Sequence, residues 1–118
     1  MLRLFRWVAI GLALMRLSHG VAAEPNKEPP FDLTDQAHID AGKARFNALC
    51  SAYCHGTEGS GGRVPPFKGQ STLKAEDVFK VITEGRRSDD VMPPYKNMAE
   101  EKRWELVAYI MYLTRQKP

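Results

Sequence analysis

Two thiols and an imidazole stand together in the run Cys50-Ser51-Ala52-Tyr53-Cys54-His55. Three chemistries are open to such a set: a disulfide, a metal site, and covalent haem attachment, in which both thiols add across vinyl groups and the adjacent histidine ligates iron. The usual attachment pattern has two residues between the cysteines, and this chain has three. On a helix the usual spacing sets the thiols about 60° apart and this one about 40°, so both keep the thiols on one face. The added residue lengthens their axial separation by about 1.5 Å, and a single π-type turn at Ser51 to Tyr53 is the expected way of absorbing it.

The rival chemistries have weaker support. These are the only two cysteines in the chain, and in an oxidising compartment an even count ordinarily means a bridge. Helical i, i+4 residues lie about 6 Å apart at Cα, within bridging range, yet so short a loop restrains the unfolded chain little. Zinc needs four ligands, and if His19 is removed with a leader only His38 remains to complete the set.

The elements that must position these groups read as helices. Asp35 is placed to cap a helix running to about Cys50, with Ile39, Gly42, Phe46 and Leu49 at spacings of three and four. Glycines and prolines from Gly56 to Gly69 make the next stretch a loop. A second helix is predicted over Ala75–Glu84, with Val78, Phe79 and Ile82 on one face and Gly85 as its stop. A loop stiffened by Pro93 and Pro94 follows. Asn97 and Glu100 then have the spacing of a capping pair ahead of a last helix carrying Trp104, Leu106, Val107, Ile110, Met111 and Leu113. No strand and no repeat is evident. The expected fold class is all-α, three main helices and two long loops, and loops of that length in so small a domain call for a non-protein group between them. A haem would fill that space.

The amino terminus sets the compartment. Arg3 and Arg6 precede an apolar stretch from Trp7 to Met15, and small residues end in Val21-Ala22-Ala23. This order is that of a secretory signal peptide over residues 1–23, and Arg16 stops the apolar run far short of the ~20 residues that span a bilayer. The expected product is a soluble, periplasmic protein with an extended leader over residues 24–34 and one domain over 35–118. Loss of Arg3, Arg6 and Arg16 leaves 14 basic against 14 acidic residues. The net charge of the mature chain is then near zero, and no nucleic-acid partner follows from the basic precursor.

On these residues the chain resembles the class I c-type cytochromes from about Asp35 to Thr114. Gly42 and Phe46, four apart and followed by three residues before Cys50, match the family's first helix, which places the extra residue between the cysteines. Cys54-His55-Gly56 matches the attachment site. Pro65, Phe67 and Gly69 match the loop on the histidine side, Met92-Pro93-Pro94-Tyr95 the sixth-ligand loop, and Leu106 with Tyr109-Ile110 the last helix, which crosses the first. The resemblance implies one haem c held through Cys50 and Cys54, with His55 and Met92 on iron. It also implies that the Pro65 carbonyl accepts a hydrogen bond from His55 Nδ1, the kind of contact that fixes a ligating imidazole.

A neutral thioether favours ferrous iron, and Pro93 biases Met92 toward extended backbone. Met98 and Met111 read as packing residues, and His38 as solvated or bonded to backbone. Trp104 and Tyr109 read most simply as core aromatics, the alternative being a bond to a haem propionate through the ring N–H or hydroxyl. Arg86, Arg87, Lys96, Lys102 and Arg103 form a basic set that is either a solvated surface or a steering patch for acidic partners. With both axial positions filled, the expected role is one-electron transfer, not catalysis, by a monomer that docks transiently with redox proteins and keeps no membrane anchor. A haem enzyme or gas-binding module and a disulfide-bonded interaction module are the alternatives.

Overall fold

The computed structural model describes residues 20, 28–88 and 91–118. The expected signal peptide, Gly20 apart, and the start of the extended leader lie outside the described residues. Three helices carry the fold: α1 (Gln36–Leu49), α2 (Ala75–Glu84) and α3 (Glu100–Thr114). A π-helical turn, Ser51–His55, and a 3-10 turn, Thr57–Gly59, continue from α1. The all-α architecture is as expected. Among the described residues the sole β feature is an isolated antiparallel bridge between Arg86 and Met92.

α1 crosses α3 at Gly42. A Cβ at that position would collide with the Glu105 carbonyl, so glycine lets the two backbones approach. Phe46, one turn on, is fully buried and meets Tyr109 edge-on at 5.3 Å. α2 covers the other side of α3, where Phe79 stacks on Trp104 at 4.1 Å. Lying between two helices, α3 is buried nearly all round, from Trp104 through Leu106, Val107, Tyr109 and Ile110 to Leu113.

Two expected caps differ. Asp35 occupies the N-cap position of α1 but makes no side-chain cap bond; its carboxylate lies 3.6 Å from His38 Nε2 instead. Asp32 orders the approach, its Oδ1 accepting from the Thr34 amide at 2.8 Å and its carbonyl from the Asp35 amide at 3.1 Å. At α3 the N-cap is Ala99, not Asn97. A turn closed by the Met98 amide on the Tyr95 carbonyl at 2.9 Å takes up Asn97 before the helix begins. Ahead of α1, Phe31 and Leu33 pack against the core, and the Phe31 ring stacks on His38 at 3.6 Å.

Candidate haem-binding site

Residues 50 to 56 are shaped by their spacing. The His55 amide donates to the Cys50 carbonyl at 3.2 Å and the Gly56 amide to the Ser51 carbonyl at 2.9 Å, both spanning five residues, as in a π-helix. The expected π-type turn at Ser51 to Tyr53 is present and extends to His55. The third intervening residue is therefore absorbed locally, and α1 runs regularly up to Leu49. Gly56 ends the turn with φ 73°, a conformation that favours glycine, and an added Cβ there would meet the Gly61 carbonyl.

Cys50 and Cys54 are not bridged. Cys50 packs against the core, and burial, then the neighbouring Cys54, pushes its thiol up to about 11. The loop after the turn folds back on it: Arg63 and Val64 amides donate to the Cys54 carbonyl at 3.1 and 3.4 Å, and the Gly61 amide to the His55 carbonyl at 2.9 Å.

His55 sits in an aromatic cage. Its ring stacks on Phe67 at 4.9 Å and 20°, with Phe46 5.8 Å away. Burial holds the imidazole below its usual pKa, which favours the neutral form, the form that ligates metal. Nδ1 is buried with no hydrogen-bond partner. The expected bond from Nδ1 to the Pro65 carbonyl is therefore not made: Pro65 is exposed, and Phe67 covers the ring.

Met92 is half-buried and packs against the same core as Cys50. Its amide and carbonyl both pair with Arg86 at 2.9 Å, which gives it the extended backbone expected before Pro93. The Tyr95 amide donates to the Ile82 carbonyl at 2.9 Å, fastening the loop to α2. The Tyr95 hydroxyl is raised above its usual pKa by burial and then by Cys50 and Cys54.

A zinc site finds no support. Among the described residues no three His, Cys, Asp or Glu side chains gather to hold a metal, and His38 lies between Asp35 and Glu105. Arg103 departs from the expected basic surface set, because it is only 6% exposed. Its guanidinium lies over the Phe79 ring at 4.9 Å and donates to Thr83 Oγ1 at 2.6 Å. Sequence reasoning did not assign the Phe67 stack on His55 or the ion pair of Arg45 with Glu105 at 2.7 Å. A groove of about 620 Å³ beside Tyr109 and Leu113, with Lys43, Lys68 and Lys117 on its walls, contains none of the attachment residues.

A neutral histidine held between Phe46 and Phe67, next to two unbridged thiols, fits the chemistry of a haem held by thiols. Residues 37–110 match the family described as cytochrome c oxidase, cbb3-type, subunit III, and the chain belongs to that family of c-type cytochrome domains. The chain is also similar to the crystal structure of cytochrome cL from the marine methylotrophic bacterium Methylophaga aminisulfidivorans, with 26% identity and a TM-score of 0.56 over 68% of this chain. It spans about half of that protein, 55% of its length. No curated protein matches the chain. Among the described residues no helix is long and apolar enough to cross a membrane.

Proposed function

We propose that the chain is an exported, periplasmic carrier of single electrons with one haem c, bound covalently through Cys50 and Cys54 and ligated by His55 and Met92. The observation that carries this reading is His55, kept neutral by burial and held by Phe46 and Phe67, directly after the second thiol. When bound, the haem supplies a reversible one-electron couple at iron. His55 presents a neutral imidazole, held edge and face by Phe46 and Phe67. Met92 offers a thioether from a loop whose backbone is tied to Arg86, while its neighbour Tyr95 is tied to Ile82. The two thiols fix the group to the chain, so it is retained through repeated encounters. No general base or nucleophile is asked for, and donor and acceptor are redox proteins met transiently by a monomer.

The test is spectroscopic. The full precursor is expressed with a c-type haem maturation system, purified from the periplasm, and examined in both oxidation states and after alkaline pyridine denaturation. Haem retained by the denatured chain, with the α-band of two saturated vinyl groups and a far-red ferric band from sulfur, is the expected result. A red-shifted α-band would mean a single attachment. Rapid carbon monoxide binding by the ferrous protein would remove Met92 as ligand, and absence of retained haem would overturn the proposal.

A further inference from the structure

The groove of about 620 Å³ beside Tyr109 and Leu113 takes no part in the haem reading, since no attachment residue lines it. Its walls come from separate parts of the chain. Lys43 belongs to α1, Glu58 to the 3-10 turn, Lys68 to the loop that follows, and Arg115 and Lys117 to the segment just beyond α3. Four cations thus line one volume with a single carboxylate. Beyond residue 23 the chain has 14 basic and 14 acidic residues, so this is a local gathering of charge and not an overall excess.

Most of that charge has no counterpart. Lys43 lies 3.7 Å from Glu58, but both side chains are about half exposed and such a pair is weak. No carboxylate of the described residues comes within ion-pair distance of Lys68, Arg115 or Lys117. Arg115 and Lys117 offset the negative end of α3, a role that Lys43 and Lys68 cannot share because they stand on other elements. The walls are held by backbone. The Phe67 amide donates to the Gly59 carbonyl at 3.0 Å, the Arg115 and Gln116 amides to Tyr112 and Leu113 carbonyls at 3.2 and 3.0 Å, and the Pro118 ring packs against Gly69. Glu58 is, among the described residues, the one non-glycine at positive φ, 54°. That backbone is costly for a residue with a side chain, and strain of this kind gathers at binding sites.

We propose that this groove binds a small organic dicarboxylate with a flat or apolar body. Its volume falls within the ~300–1,000 Å³ of small-molecule sites. Tyr112 and Leu113 offer the body an aromatic and apolar wall, and the cations without a carboxylate partner take the acid groups. Two carboxylates added to that of Glu58 set three negative charges against four positive ones, whereas a single acid group leaves the groove strongly cationic. Walls already fixed by backbone bonds keep the ordering cost of binding low. An acid group of the ligand also competes with Glu58 for Lys43, so Glu58 opposes binding.

The probe is benzene-1,3-dicarboxylate, titrated calorimetrically into the purified full-length protein at low salt. One molecule is expected to bind per chain, more tightly than glutarate, which has the acid groups without the ring, and more tightly than benzoate, which has the ring and one acid group. Lys68→Ala and Arg115→Ala each weaken binding by about threefold, and together by about tenfold. Glu58→Gln strengthens it by about threefold, a gain that a merely structural role for Glu58 would not give. Lys80→Ala, an exposed cation on α2 away from the groove, leaves it unchanged. Circular dichroism matching that of the wild type shows that each variant is folded, as substitution of surface charges should allow. Absence of dicarboxylate binding by the wild type overturns the proposal. So does an equal loss in Lys80→Ala, which would mean diffuse attraction, or a Lys68→Ala, Arg115→Ala double variant that binds like the wild type.

Discussion

Glu105 on α3 holds the Arg45 guanidinium of α1, Arg45 Nη2 donating to its carboxylate at 2.7 Å. The other carboxylate oxygen lies 3.8 Å from His38 Nδ1, so one acidic residue collects two groups from the opposite helix. The two ion-pair side chains are 25% and 14% exposed, which limits screening by solvent. Glu105→Gln keeps the shape, removes the charge, and is expected to cost about 1–2 kcal/mol. Thermal unfolding of the variant would read this as a drop of several degrees, and an unchanged midpoint would show the pair to be energetically neutral.

Gly42 allows no side chain, because a Cβ meets the Glu105 carbonyl and the Tyr109 Cβ. Gly42→Val must push α1 from α3, and overpacking of this kind costs about 1–3 kcal/mol. For a domain of this size the melting temperature should fall by roughly 4–8 °C per kcal/mol.

The Tyr109 hydroxyl is pushed above its usual range by burial first, then by Glu58 and Tyr112. The folded chain then holds that proton more tightly than the unfolded chain, whose tyrosines titrate near pH ~10. The stabilisation is complete below that pH and is lost as pH rises through the folded value. Melting temperatures followed from about pH 9 to 11 should decline less steeply for Tyr109→Phe than for the wild type; parallel slopes would show that Tyr109 does not contribute.

Met92→His replaces a neutral thioether by a stronger donor and should lower the reduction potential while removing the far-red ferric band. Redox titration with parallel spectra checks both. If the band and the potential survive, sulfur at iron comes from another residue, and Met98, which also packs against the core, is the next to substitute.

The helices were legible because their signals are local. Apolar residues recur at helical spacing, and Gly85 stops α2 where expected, with φ 74° and no room for a Cβ beside the Met92 carbonyl. The caps were less so, since Ser, Thr, Asp and Asn bond whichever backbone group is nearest. Asp35 turns to His38, and Asn97 is taken into the turn closed by Tyr95. Arg103 was misplaced for a different reason. A long stem and a flat guanidinium allow an arginine to lie over an aromatic ring, and composition cannot say whether Phe79 will be beneath it. The Phe67 cover on His55 and the Arg45–Glu105 pair are non-local, and no spacing rule brings residues 12 or 60 positions apart together.

The π-helical turn also bears on how the chain tolerates changes in its own length. A residue inserted within an ordinary helix rotates everything beyond it by about 100°, which would carry one end of α1 off its crossing. Here the added length is taken up after Leu49, past Gly42 and Phe46, and the chain is back on course by Gly56. The attachment segment is thus a place where a residue can be added or removed without redesigning the helices that frame it.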